Sequence, residues 1–135
     1  MQRPTRTGGL RHVALTVENL EACEQFYVDL LGMEVEWRPD EDNVYLTSGN
    51  DNLALHRGEN INKTPVQPLD HIGFIIPTPE QVDEWYAFLD HHAVPMRQPP
   101  RTHRDGARSF YCYDPAGTVV QIIYHPPISY IRVVL

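Results

Sequence analysis

Two of the chain's seven histidines stand at the same place in two similar strands. His12 is third in "LRHVALTV", residues 10 to 17, and His71 is third in "LDHIGFII", residues 69 to 76. An imidazole nitrogen is a ligand type that first-row divalent metals accept, and Gln121 adds an amide oxygen as a third donor. His56, two residues beyond Ala54, is a further candidate, either as a ligand or as pocket lining. Such a set would hold a divalent ion that polarises oxygens of a small molecule. A lone strand histidine is more often a satisfied structural residue. Two at equivalent positions, each followed two residues later by a small residue, Ala14 and Gly73, favour a shared role. The Gln121 amide serves equally well as a hydrogen-bonding group toward a ligand or a neighbouring histidine.

The equivalence comes from an internal repeat. Shifting the chain by 59 positions lays "LRHVALTVENLEACEQFYVDLLGMEVEWR" over "LDHIGFIIPTPEQVDEWYAFLDHHAVPMR". Inserting eight residues in the second copy lays "LTSGNDNLALH" over "YDPAGTVVQII", so that Ala54 falls on Gln121. Each copy changes period from strand to helix and back. In the first, Asn19 reads as an N-cap, Leu20, Cys23, Phe26, Tyr27, Leu30 and Leu31 recur at helical spacing, and Gly32 supplies the left-handed stop. In the second, Thr78, Pro79 and Gln81 form a capping-box start, and Val82, Trp85, Tyr86 and Leu89 make a buried stripe. Strands are expected around 33 to 38, 43 to 47 and 52 to 57, then around 93 to 97, 109 to 113 and 118 to 124, with turns at "SGND" and "DPAG". The fold class expected is α+β, with two tandem βαβββ modules forming a cup-shaped mixed sheet. Module one covers about 9–58 and module two about 69–125 within a single domain at 9–127.

Strand parity sorts the side chains. Val13, Leu15, Val17, Leu53, Leu55, Ile72, Phe74, Ile76, Val120 and Ile122 take the core face. The opposite face carries His12, Ala14, Thr16, Ala54 and His56, with His71, Gly73, Ile75, Gln121 and Ile123 from the second copy. If the two sheets curl toward each other, these groups line a cup. Trp37, Tyr111 and Tyr113 are further lining candidates, although parity leaves open whether the two tyrosines face cup or core. Cys112 takes the other face as a small buried hydrophobe. His91, His92, His103 and His125 read as surface or loop residues. Residues 97 to 108, "RQPPRTHRDGAR", are the longest irregular stretch, a solvated loop whose arginines, Arg97, Arg101, Arg104 and Arg108, could also close over an anionic substrate.

Composition narrows the partners. A net charge of -7 offers no basic stripe for nucleic acid, and no apolar run reaches the roughly 20 residues that span a bilayer. Cys23 and Cys112 form neither a disulfide framework nor a zinc knuckle, so a reducing cytoplasm is the expected location. Residues 1–8 read as a flexible tail. The alternating, β-branched "ISYIRVVL" at 128–135 reads as a C-terminal strand that pairs with a sheet edge or a second subunit.

"LRHVALTV" leading into "FYVDLLGMEV", "LDHIGFII" and "FYCYDPAGTVVQII" together resemble the vicinal oxygen chelate superfamily, which includes glyoxalase I, bleomycin resistance proteins, fosfomycin resistance enzymes and extradiol dioxygenases. The resemblance covers about residues 9 to 125. It implies paired βαβββ modules around a divalent metal, with ligand positions that fall on His12, Ala54, His71 and Gln121. Ala54 cannot ligate, and Gln121 stands where a glutamate is usual. The loss of that carboxylate argues against ring-cleaving dioxygenase chemistry, which wants two histidines and one carboxylate. Glutamine does ligate in some glyoxalase I enzymes. The resemblance thus implies a metal-dependent lyase, isomerase or transferase acting on a small molecule with vicinal oxygens, using nickel, zinc, manganese or iron at His12, His71 and Gln121. The competing expectation is a metal-free small-molecule binder similar to bleomycin resistance proteins. A homodimer is expected from the same resemblance.

Overall fold

The computed structural model describes residue 2 and residues 10–59, 69 and 71–129. The chain divides into two compact units, residues 1–61 and 62–135. In the first, β1 (His12–Val17) is followed by α1 (Leu20–Gln25), β2 (Glu34–Asp40), β3 (Asn43–Thr47) and β4 (Asn52–Arg57). The sheet order is β1-β4-β3-β2, with β1 and β4 parallel and the remaining pairs antiparallel. Leu15, Val17, Val44, Leu46, Leu53 and Leu55 are buried on one face, as are Leu20, Cys23, Phe26 and Tyr27 of the helical segment. Removing these side chains from water is what holds helix to sheet. The other face carries the alternate residues, with no helix of this unit on it among the described residues.

The helical periodicity from Leu20 onward holds, but its second half is wider than an α-helix. Phe26–Leu30 is a π-helical turn, closed by Leu31 N–H donating to the Phe26 carbonyl at 3.2 Å. Gly32 then adopts φ +83°, the left-handed stop the sequence calls for. Arg57, at the end of β4, pairs with Glu21 of α1 and with Asp42, and the guanidinium holds the Glu21 carboxyl at about 2. The pair is exposed, so it aligns the elements more than it stabilises them.

The second unit repeats the plan with β5 (Ile72–Ile75), α2 (Pro79–His91), β6 (Met96–Thr102), β7 (Arg108–Tyr113) and β8 (Val119–Tyr124), in sheet order β5-β8-β7-β6. Thr78 caps α2 by accepting from the Gln81 N–H at 3.2 Å. Val82 and Leu89 of α2, with Phe110, Cys112, Val120 and Ile122, are fully or almost fully buried. Burial, with a smaller contribution from Asp114, pushes the Cys112 thiol up to about 12, so it is a protonated core group at neutral pH. At the "DPAG" turn, buried Asp114 accepts from the N–H groups of Ala116 and Thr118 at 2.9 and 2.8 Å, and Gly117 takes φ +86°.

Register gives the repeat a structural counterpart. Ala14 pairs with Ala54 across the parallel β1–β4 ladder, and Gly73 with Gln121 across the parallel β5–β8 ladder. The same offsets that align the sequence halves therefore align their hydrogen-bonded partners.

One expectation is corrected. Residues 97 to 108 are not one irregular loop, because β6 runs on to Thr102 and only 103–107 form the turn. Pro99 and Pro100 fit within a strand here since β6 lies at the sheet edge and register shifts flank Gln98. Arg108 belongs to β7, where it holds Asp83 of α2 at 2.7 Å and Thr102 at 3.0 Å rather than closing over a substrate. Of the segment 128–135, residues 128 and 129 end a helical turn, α3 (Pro126–Ser129), where Ser129 Oγ donates to the Ile76 carbonyl at 2.9 Å. Residues 130–135 lie outside the described residues, as do residues 3–8 of the expected N-terminal tail.

Candidate metal and ligand site

In the first unit the helix-free face begins with His12, the first residue of β1, opposite Asn52. His12 Nδ1 lies 2.7 Å from Asn52 Oδ1, and Asn52 Nδ2 donates to Glu36 Oε2 at 2.8 Å. An asparagine oxygen can only accept, so Nδ1 carries the proton and Nε2 is left with its lone pair. Ala14 and Thr16 follow on the same face and are exposed. Ala54 is buried beside Ala14 and Tyr45, its two cross-strand neighbours. Trp37, 59% exposed, stacks on Tyr45 with ring centroids 5.3 Å apart. His56 lies between Thr16 and Asn43, with Nδ1 2.6 Å from Asn43 Oδ1, and Asn43 in turn donates to Asp40 at 2.8 Å. Both histidines of this unit therefore sit in a chain of carboxylate, asparagine and imidazole. That arrangement fixes tautomer and ring orientation, as outer partners of metal-bound histidines do.

In the second unit the corresponding face carries His71, immediately before β5, and Gly73, Gln121 and Ile123. Tyr111 pairs with Gln121 across the β7–β8 ladder and meets the His71 ring edge-on at 5.4 Å. Register thus places Tyr111, and Tyr113 with it, on the Gln121 face, with Cys112 on the core side. Gln121 is 9% exposed, and its Nε2 donates to Ser109 Oγ at 3.1 Å. A Cβ at residue 73 would lie 3.8 Å from Gln121 Oε1, ordinary contact distance.

His12, Ala14, Thr16, Trp37, Ala54 and His56 thus share one face of the first unit. His71, Gly73, Tyr111, Tyr113, Gln121 and Ile123 share one face of the second. Several participants escaped the sequence reading: Glu36, Asn43, Tyr45, Asn52 and Ser109. Tyr45 was accessible through the alternation in "NVYLT", but the others depend on cross-strand partners that spacing alone does not reveal. His103, first residue of the 103–107 turn, is half-buried, and its Nε2 lies 3.0 Å from Ser109 Oγ of β7.

Each unit carries side chains of a type that a divalent ion accepts. In the first, the neutral His12 ring bonded to Asn52 through Nδ1 has its lone pair at Nε2. In the second, Ser109 engages Gln121 Nε2, and Oε1 is the accepting end. Neither unit, among the described residues, gathers three His, Cys, Asp or Glu side chains into a metal-holding group.

The chain matches the model of the Glyoxalase/Bleomycin resistance protein/Dioxygenase superfamily over residues 9–122. It belongs to that superfamily. The metallothiol transferase FosB of Staphylococcus epidermidis is 29% identical over 87 residues, 64% of this chain and 61% of the relative. The matched stretch therefore spans less than two thirds of that relative's length. Among solved structures, the lactoylglutathione lyase from Agrobacterium tumefaciens superposes with TM-score 0.72 at 25% identity, covering 87% of this chain and 94% of the other. The fosfomycin resistance protein FosX from Listeria monocytogenes gives TM-score 0.73 at 21% identity, covering 89% and 95%. The glyoxalase-like α+β fold is shared with both. No helix among the described residues is long and apolar enough to cross a membrane.

Proposed function

We propose that the protein is a divalent-metal-dependent lyase, isomerase or transferase of the glyoxalase superfamily acting on a small molecule with vicinal oxygens, with His12, His71 and Gln121 as its metal ligands. The observation that carries this reading is the pairwise restraint of the donors: Asn52 holds His12 Nδ1, and Ser109 holds Gln121 Nε2. Each partner occupies the atom a metal would not use. The similarity to a protein named for metallothiol transfer supports the same reading.

When bound, a divalent ion supplies Lewis-acid polarisation of substrate oxygens. The protein's own side chains supply orientation and proton handling. Gln121 is neutral, so it cannot act as the base that a glutamate there would provide. His56 is suited to that task, because Asn43 Oδ1 accepts from Nδ1–H and the neutral ring then has Nε2 as its acceptor. Ala14, Thr16, Ala54, Gly73 and Ile123 bound the substrate's space, and Trp37, Tyr111 and Tyr113 give it aromatic surface. A cytoplasmic homodimer completes the proposal, in keeping with two buried cysteines that form no disulfide and an acidic chain.

The stacked Trp37–Tyr45 pair favours a second reading, a metal-free binder that clamps an apolar or aromatic ligand without altering it. Elemental mass spectrometry of untagged protein separates the two. Near-stoichiometric divalent metal in the wild type, lost in the His12→Ala, His71→Ala double variant, is the expected result. Metal-free protein that also takes up no nickel, zinc, manganese or iron on titration overturns the metal reading in favour of the binder.

A further inference from the structure

We infer that Ser109, backed by His103, is a positioning residue that turns the Gln121 carboxamide so that its oxygen, and not its nitrogen, is offered as a ligand. The inference rests on the metal reading of Gln121, and it concerns how an ambiguous side chain is made unambiguous. A glutamate presents oxygen at either end. A carboxamide presents an acceptor at one end and a donor at the other, and only the oxygen can coordinate.

Ser109 engages the nitrogen end: the Gln121 Nε2 donates to Ser109 Oγ at 3.1 Å, and Ser109 is 2% exposed. Oγ also lies 3.0 Å from His103 Nε2. A hydroxyl has one proton and two lone pairs, so a His103 ring with its proton on Nδ1 draws the Oγ proton to Nε2 and leaves Oγ to the amide purely as an acceptor. With the His103 proton on Nε2 instead, the hydroxyl is free to donate to an amide oxygen, and the preference for presenting oxygen is lost. The tight turn 103–107 holds the histidine in place: His103 N–H donates to the Ala107 carbonyl at 2.7 Å, and Gly106 N–H to the His103 carbonyl at 3.0 Å. Asp105 accepts from the Ala107 N–H at 3.0 Å. On the other side of the amide, Gly73 keeps the space next to Oε1 clear of a side chain.

The test is a double-mutant cycle on metal affinity, read by calorimetric titration of nickel and manganese into full-length protein. Ser109→Ala is expected to weaken binding by about tenfold or more, the scale of a lost ligand-orienting partner, and Ser109→Thr is expected to restore it. In the Gln121→Glu background, where orientation no longer matters, Ser109→Ala should change affinity by less than about threefold. No loss in the single variant, or an equal loss in both backgrounds, would overturn positioning. If the wild type takes up no metal, the functional reading fails, and the Gln121 side-chain amide resonance of the metal-free protein decides the inference alone. Protection from solvent exchange that disappears in Ser109→Ala supports it. An unchanged resonance and exchange rate in that variant refutes it.

Discussion

His12 and His71 stand out because a duplicated unit repeats a strand position, and one sequence compared with itself exposes the coincidence. Their partners do not. Asn52 lies 40 residues from His12 in sequence and reaches it only through the parallel β1–β4 register. Ser109 reaches Gln121 through contact between neighbouring strands. A polar residue within a strand pattern looks alike whether it holds a catalytic group or faces water. Replacing Asn52 with alanine removes the acceptor that fixes the His12 tautomer and also releases Glu36. The expected outcome is a fall in metal affinity of about 10- to 100-fold with the thermal midpoint little changed. Titration calorimetry beside a melting curve checks both halves of that statement. An unchanged affinity would mean that Asn52 does not prepare His12 for a ligand's role.

The strand–helix–three-strand order of each unit could be read from periodicity, and the caps from single residues: Thr78 before α2 and Gly32 after the first helical segment. Thr78 accepts the Gln81 N–H, so Thr78→Ala should cost about 1 kcal/mol of stability. Gly32 has open space where a Cβ would go but a positive φ, so Gly32→Ala should cost about 1 to 2 kcal/mol through backbone strain alone. Urea unfolding of both variants measures these costs, and a neutral Gly32→Ala would contradict the left-handed stop. The two elements that resisted sequence reading have different causes. The π-helical turn leaves the spacing of Phe26, Tyr27 and Leu30 compatible with an ordinary helix. Strand β6 was masked by its prolines, because local propensity argues against a strand whose edge position makes those prolines harmless.

For the whole molecule, self-comparison anticipated the two similar units, and the register pairs Ala14 with Ala54 and Gly73 with Gln121 at the matching offsets. The two pairs differ in chemistry: one carries Ala54 where the other carries the Gln121 amide. The proposed dimer is testable through the C-terminal segment. Deleting residues 130–135, which leaves the Ser129 anchor intact, should shift the mass in solution from dimer to monomer by light scattering. An unchanged dimer would remove that segment from the contact. One further consequence follows from how both sheets end. Strand β2 carries Pro39 and register shifts, and β6 carries Pro99, Pro100 and register shifts of its own. Neither outer ladder can serve as a regular template for another chain's strand. At these two margins, though not at the β1 and β5 edges, prolines and irregular register act against strand addition and so against fibril growth.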